Sequence, residues 1–240
     1  MKYIQEFRNQ EAALALRAQI EELATKLPSR KQPVRIMEVC GTHTVAIARS
    51  GIRSLLPPTI DLISGPGCPV CVTDTGYIDA ALELALRGVH LATFGDMLKV
   101  PGSHMTLAQA RGEGATVDVC YSPLDALQSA AEHPGREIVF LGVGFETTTA
   151  PVVSIVAEAE RMGLKNISIL TAFKTVPAAM HALACDPEVG IQAFLCPAHV
   201  SAIIGAAAYE PIVLQHRLPC VIAGFAVSYT HLTLPTIYSV

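Results

Sequence analysis

Hydrophobic residues recur along this chain in two alternating rhythms. Short β-branched runs are separated by Ala- and Leu-rich stretches whose apolar positions fall three and four apart. The runs are VRIMEV (34–39), IDLIS (60–64), HLATF (90–94), TVDVCY (116–121), EIVFLGV (137–143), NISILTAF (166–173), IQAFLC (191–196) and CVIAGF (220–225). Strands separated by helices of this length predict parallel βαβ units with helices on both faces. The expected fold class is α/β, as two doubly wound parallel-sheet (Rossmann-like) lobes with a cleft between them. The polar stretch AAEHPGRE (130–137) is the candidate boundary, giving lobes at 1–133 and 134–225; one continuous sheet is the alternative. Ahead of the first strand, Leu16, Ile20, Leu23 and Leu27 fall at helical spacing and predict an amphipathic helix packed on a larger body.

Composition narrows the function. A length of 240 residues with 51% hydrophobic content is ample for a sizeable core. No apolar run reaches the roughly 18 residues a membrane span requires. The charged N-terminus MKYIQEFRNQEAALALRAQIEELATKL lacks the apolar core of a secretory signal, so a cytoplasmic location is expected. A net charge of -4 and the lack of a basic stripe argue against nucleic acid as a partner. Seven cysteines, an odd number without an export signal, favour free thiols, metal ligation or redox chemistry over a disulfide framework.

The unusual residues fall just after strands, where open parallel sheets bind their ligands. Cys40-Gly41-Thr42-His43 follows the first run, GPGCPVC (65–71) the second, Gly95-Asp96 the third, GFETTT (144–149) the fifth and PAHVS (197–201) the seventh. Turn chemistry accounts for Gly41, and Thr42 can cap the next helix, but Cys40 and His43 need another reason. Cys40 reads as functional from its place at a strand end, whereas His43 reads equally as a ligand-side group or as a core or capping histidine. Cys68 and Cys71, spaced C-x-x-C and expected at a helix N-terminus, can close a small disulfide or grip a metal, with the helix dipole lowering a thiol pKa. A closed zinc site would want four ligands, and no second pair of this kind occurs. A thioredoxin-like oxidoreductase is the stronger rival, although it leaves Cys40 and His43 without a role. Glu146 with Thr147, Thr148 and Thr149 reads either as a helix start capped by Thr147 or as a polar site for an anion at a helix N-terminus. His199 and Ser201 carry the same two readings. Cys120, Cys185, Cys196 and Cys220 stand singly and are expected in the core.

EVCGTHT, ISGPGCPVCVT, TFGDMLKVPGS, GFETTTAP and CPAHVSAIIG, in this order and spacing, resemble the HypD family of hydrogenase expression/formation proteins. The resemblance runs from the N-terminus to about Phe225. It implies α/β lobes with a cysteine-lined cleft, and a scaffold rather than a turnover enzyme. The implied task is to hold iron while the Fe(CN)2CO group of [NiFe]-hydrogenase is assembled, with a small HypC-type chaperone as partner and a HypE-type protein as cyanide donor. Carried over to this chain, Cys40 is the iron-holding thiolate, His43 lies beside it, and Cys68 and Cys71 form a redox-capable pair. A soft, electron-rich thiolate suits low-valent iron carrying carbonyl and cyanide. The candidate set is Cys40 as metal ligand; Cys68, Cys71, His43 and Glu146 as reacting groups; and Thr42, Thr147, Thr148 and His199 as groups that bind the cofactor.

The tail departs from that family. After Gly224-Phe225 the chain reads AVSYTHLTLPTIYSV, without a cysteine or a continuation of the α/β rhythm. Residues 226–240 are therefore expected to be non-native, with the family's [4Fe-4S] ligands absent here. A thiol-disulfide oxidoreductase using Cys68 and Cys71 is the alternative function, and the two differ over whether Cys40 is needed.

Overall fold

In the computed structural model, which describes residues 10–28, 32–224 and the backbone of 237–238, all eight β-branched runs form strands. In chain order the elements are α1 (Gln10–Thr25), β1 (Val34–Glu38), α2 (Gly41–Arg49), α3 (Ile52–Leu55), β2 (Ile60–Ser64), α4 (Thr75–Leu86), β3 (His90–Phe94), α5 (Leu107–Gly112), β4 (Val117–Cys120), α6 (Pro123–Glu132), β5 (Ile138–Gly144), α7 (Glu146–Met162), β6 (Ile167–Phe173), α8 (Val176–Ala184), β7 (Ala193–Pro197), α9 (Ala198–Ile204), α10 (Glu210–His216), β8 (Cys220–Ala223) and β9 (Ile237–Tyr238). Single 3-10 turns at Gly95–Lys99 and Ala206–Tyr209 complete the list. The expected α/β class is the observed one.

Two compact units share these elements. One comprises residues 1–67 and 176–240, the other 68–175. In the first, the sheet order is β2-β1-β7-β8-β9, with parallel pairing from β2 to β8 and the two-residue β9 antiparallel at the edge. In the second, β4-β3-β5-β6 are parallel throughout. The first sheet is thus assembled from both ends of the chain, and the second is built from the continuous segment between them.

The second unit shows why such strands read as nearly continuous apolar runs. Successive side chains point to opposite faces, and helices cover both. Leu91, Leu141 and Val143 meet α4 and α5 through Ile78, Leu82 and Leu107 on one side. Ala92, Ile138 and Phe140 meet α6 and α7 through Ala126, Ala130 and Val152 on the other. Helix starts are chemically marked: Ser122 accepts from the Leu124 N–H, and Thr106 with Gln109 forms a reciprocal capping box.

Several expectations land differently. The polar stretch 130–137 joins α6 to β5 inside the second unit, where the buried Asn166 amide donates to the carbonyls of Ala130, His133 and Arg136. One side-chain amide thus ties the last turn of α6 to the loop that follows it, and that holds a polar segment in place. Helix α1 forms as its periodicity predicts, but Leu16 and Leu23 remain exposed and only Ala24 is buried. Periodicity fixes the helix; burial of its stripe needs a facing surface, which the described residues do not supply. Cys120, Cys196 and Cys220 are buried as expected, whereas Cys185 is exposed just beyond the end of α8. Residues 225–236 and 239–240, which hold most of the expected non-native tail, lie outside the described residues.

Candidate functional site

Cys40 is the second of two residues between β1 and α2, and its backbone is unusual. Its φ of 104° lies in a region that favours glycine. The hold on it comes from the GPG segment: the Cys40 N–H donates to the Pro66 carbonyl at 3.1 Å and the Gly41 N–H to the Gly67 carbonyl at 3.4 Å. A Cβ at position 67 would sit 2.2 Å from the Gly41 nitrogen, so only glycine permits this approach. The two motifs that stood out in the sequence, CGTH and GPG, are one packed backbone structure. Strain of this kind persists where the surroundings over-determine it, commonly at functional positions.

The Cys40 sulfur is half-buried and has polar company. His199 Nε2, from the start of α9, lies 3.9 Å from Sγ. Burial alone would raise the thiol pKa, but hydrogen bonds from His199 and from the Thr42 backbone and hydroxyl, with the His199 charge, outweigh it and lower the thiol. Thr42 is therefore not the expected cap: Cys40 occupies the N-cap position, and Thr42 serves its sulfur. His43 is buried, and its Nε2–H donates to the Ala223 carbonyl at 2.9 Å. Burial depresses its pKa against the opposing pull of Ala223 and Glu38, which keeps the imidazole neutral at physiological pH.

Glu38, two residues before Cys40, escaped the sequence reading. It is fully buried, and its Oε1 accepts from Arg53 at 2.7 Å and from the Ser64 hydroxyl at 2.8 Å. Glu38 lies within the VRIMEV run, and nothing local in the sequence marks it as a buried carboxylate. Ser201 turns out to serve the fold: its hydroxyl donates to the Pro197 carbonyl at 2.8 Å and meets the Tyr209 hydroxyl at 3.0 Å.

In the second unit, Cys68 and Cys71 are free thiols, the first half-buried and the second exposed. They lie in a turn and not at a helix N-terminus, because α4 begins at Thr75 with Asp74 as its cap. The Cys71 N–H donates to Cys68 Sγ at 3.2 Å. The Cys71 thiol is raised, chiefly by its hydrogen bond with the Cys68 sulfur, so the expected lowering by a helix dipole does not occur here. Glu146 is buried in the first turn of α7, where its charge complements the helix dipole. Phe145 holds the N-cap position, so Thr147 is not the cap. Thr147 is exposed, Thr148 packs its side chain over Gly144, and the Thr149 hydroxyl donates to the Phe145 carbonyl at 3.0 Å.

This arrangement can be compared with known proteins. The family model for HypD, described as the hydrogenase formation hypA family, matches residues 11–233. The chain belongs to the HypD family. Hydrogenase maturation factor HypD of Azotobacter vinelandii is 48% identical over 232 residues, covering 94% of this chain and 60% of the relative. Those of Rhodobacter capsulatus and Escherichia coli K12 are 44% and 41% identical over 227 residues, again covering 94% of this chain. The chain spans about 60% of the length of these HypD relatives. Among the described residues, no helix is long and apolar enough to cross a membrane.

Proposed function

We propose that this chain carries the iron-holding part of a HypD-type maturation scaffold, on which the Fe(CN)2CO group of [NiFe]-hydrogenase is put together. The observation that carries the reading is the Cys40 sulfur, held by a strained backbone against Gly67 with His199 Nε2 at 3.9 Å. Donors around a thiol favour its thiolate, the form that ligates iron. A single protein thiolate leaves other positions on the cargo iron open to incoming cyanide and carbonyl, and to a second thiolate from a HypC-type chaperone. A HypE-type protein is the cyanide donor in this reading, and the location is the cytoplasm. His43 and Glu146 are assigned to proton handling, and Thr147 and Thr148 to contacts with the incoming ligand. The [4Fe-4S] cluster of the full-length family belongs to sequence outside this chain.

Cys68 and Cys71 supply the redox capacity. Oxidation of the pair to a disulfide releases two protons and two electrons, which an external disulfide takes up as two thiols. The hydrogen bond between the Cys71 N–H and the Cys68 sulfur also favours a second reading, a thiol-disulfide oxidoreductase. Maturation assays in a host lacking the endogenous factor separate the two. Cys40→Ala is expected to abolish hydrogenase maturation; an intact Cys40→Ala beside an inactive Cys68→Ala would favour the oxidoreductase.

A further inference from the structure

Away from Cys40, a second set of metal-compatible side chains lies on two helices of the first unit. His181 lies in the last turn of α8, and Cys185, the next residue after the helix, donates its N–H to the His181 carbonyl at 3.1 Å, which carries it onto the same side one turn on. His216 ends α10. One ligand atom from each of the three lies within 4.8 Å of the others. Cys185 Sγ is 3.8 Å from His181 Nε2, and His216 Nε2 is 3.0 Å from His181 Nδ1. Tetrahedral zinc, with bonds of about 2.0 Å to nitrogen and 2.3 Å to sulfur, spaces such ligand atoms about 3.3–3.6 Å apart. The two spacings involve different nitrogens of the His181 ring, of which one ligates a given ion, so binding requires the His181 ring and the Cys185 side chain to turn toward a common point.

The helices behind the cluster are anchored by buried side chains, and the cluster itself is accessible. Val176 and Met180 bury the inner face of α8, and Ile212 and Val213 that of α10. His181 and Cys185 are exposed, and His216 is partly so. Two histidines touching at 3.0 Å share a single hydrogen bond, and a cation between such nitrogens takes the place of that proton. We propose that His181, Cys185 and His216 form a three-ligand site for a borderline divalent transition metal, with zinc as the type ion and the fourth position open to water or to a partner's donor. Imidazole and thiolate are the donor set such ions select. On binding, Cys185 loses its thiol proton to solvent, and one nitrogen of each histidine donates its lone pair; no electron transfer is involved.

Cobalt titration of the reduced chain tests this independently of the maturation reading. The expected result is a thiolate-to-cobalt charge-transfer band with the visible bands of tetrahedral cobalt, saturating at one equivalent. Cys185→Ser removes the charge-transfer band, and His181→Ala with His216→Ala weakens binding by more than the roughly tenfold that loss of an outer partner costs. Cys40→Ser retains both signals. Their absence in the unmutated chain, their survival in Cys185→Ser, or their loss in Cys40→Ser would each overturn the proposal. Circular dichroism of the surface variants checks their fold, and the near-isosteric Cys185→Ser decides the matter if the double histidine variant is unstable.

Discussion

Cys40 holds a backbone angle that costs a side chain about 1–3 kcal/mol and that glycine adopts freely. The GPG segment imposes this angle, so the strain belongs to the position and stays when the sulfur is removed. Cys40→Ala keeps the Cβ and therefore keeps the strain, whereas Cys40→Gly relieves it and gives back part of the gain as unfolded-state entropy. Cys40→Gly is expected to be more stable than Cys40→Ala by about 1 kcal/mol in urea unfolding. Equal midpoints, or a more stable alanine variant, would mean that the angle carries no cost. A cysteine at a position where glycine fits better is what the proposed thiolate role requires. The neighbouring Glu38 teaches the opposite lesson about legibility: its burial depends on Arg53 and Ser64, which only the fold brings to it.

At the level of elements, strands were legible because each reads as a compact apolar run, with β3 and β5 buried on both faces, and the helices interrupt these runs with a different period. The details at their ends were less so. Thr42 and Thr147 looked like caps, but the cap positions fall to Cys40 and Phe145, neither of which contributes a side-chain bond. The C-x-x-C lies in a turn ahead of α4, a shift of a few residues that removes the helix dipole from its chemistry. The Gly67 backbone approaches Gly41 so closely that an added Cβ would sit 2.2 Å from the Gly41 nitrogen. Gly67→Ala would force these segments apart and is expected to cost about 1–3 kcal/mol. Gly112→Ala, where nothing lies within 4 Å of the added carbon, is expected to leave the urea midpoint unchanged or raise it. Similar losses at both positions would show that the approach is not tight.

At the scale of the molecule, chain order conceals the architecture. The sheet of the first unit takes β1 and β2 from before the second unit and β7 and β8 from after it. A sequence-order reading has no signal for such nesting, because each βαβ unit is locally alike. The cysteines outside the candidate site also separate by location: Cys120, Cys196 and Cys220 are buried in strands, and Cys185 stands beside two histidines. A [4Fe-4S] cluster is ordinarily held by four clustered cysteine thiolates. Anaerobic reconstitution of this chain with iron and sulfide is therefore expected to give no stoichiometric four-iron cluster, and about four irons per chain with broad visible absorption would contradict that. Cys40 is proposed to hold the cargo iron. Anaerobic co-purification with the HypC-type chaperone, followed by infrared spectroscopy in the cyanide and carbonyl stretching region, tests it most directly. The expected result is cyanide and carbonyl bands in the unmutated complex that vanish in Cys40→Ala; bands unchanged in Cys40→Ala, or absent from the unmutated complex, would contradict the account.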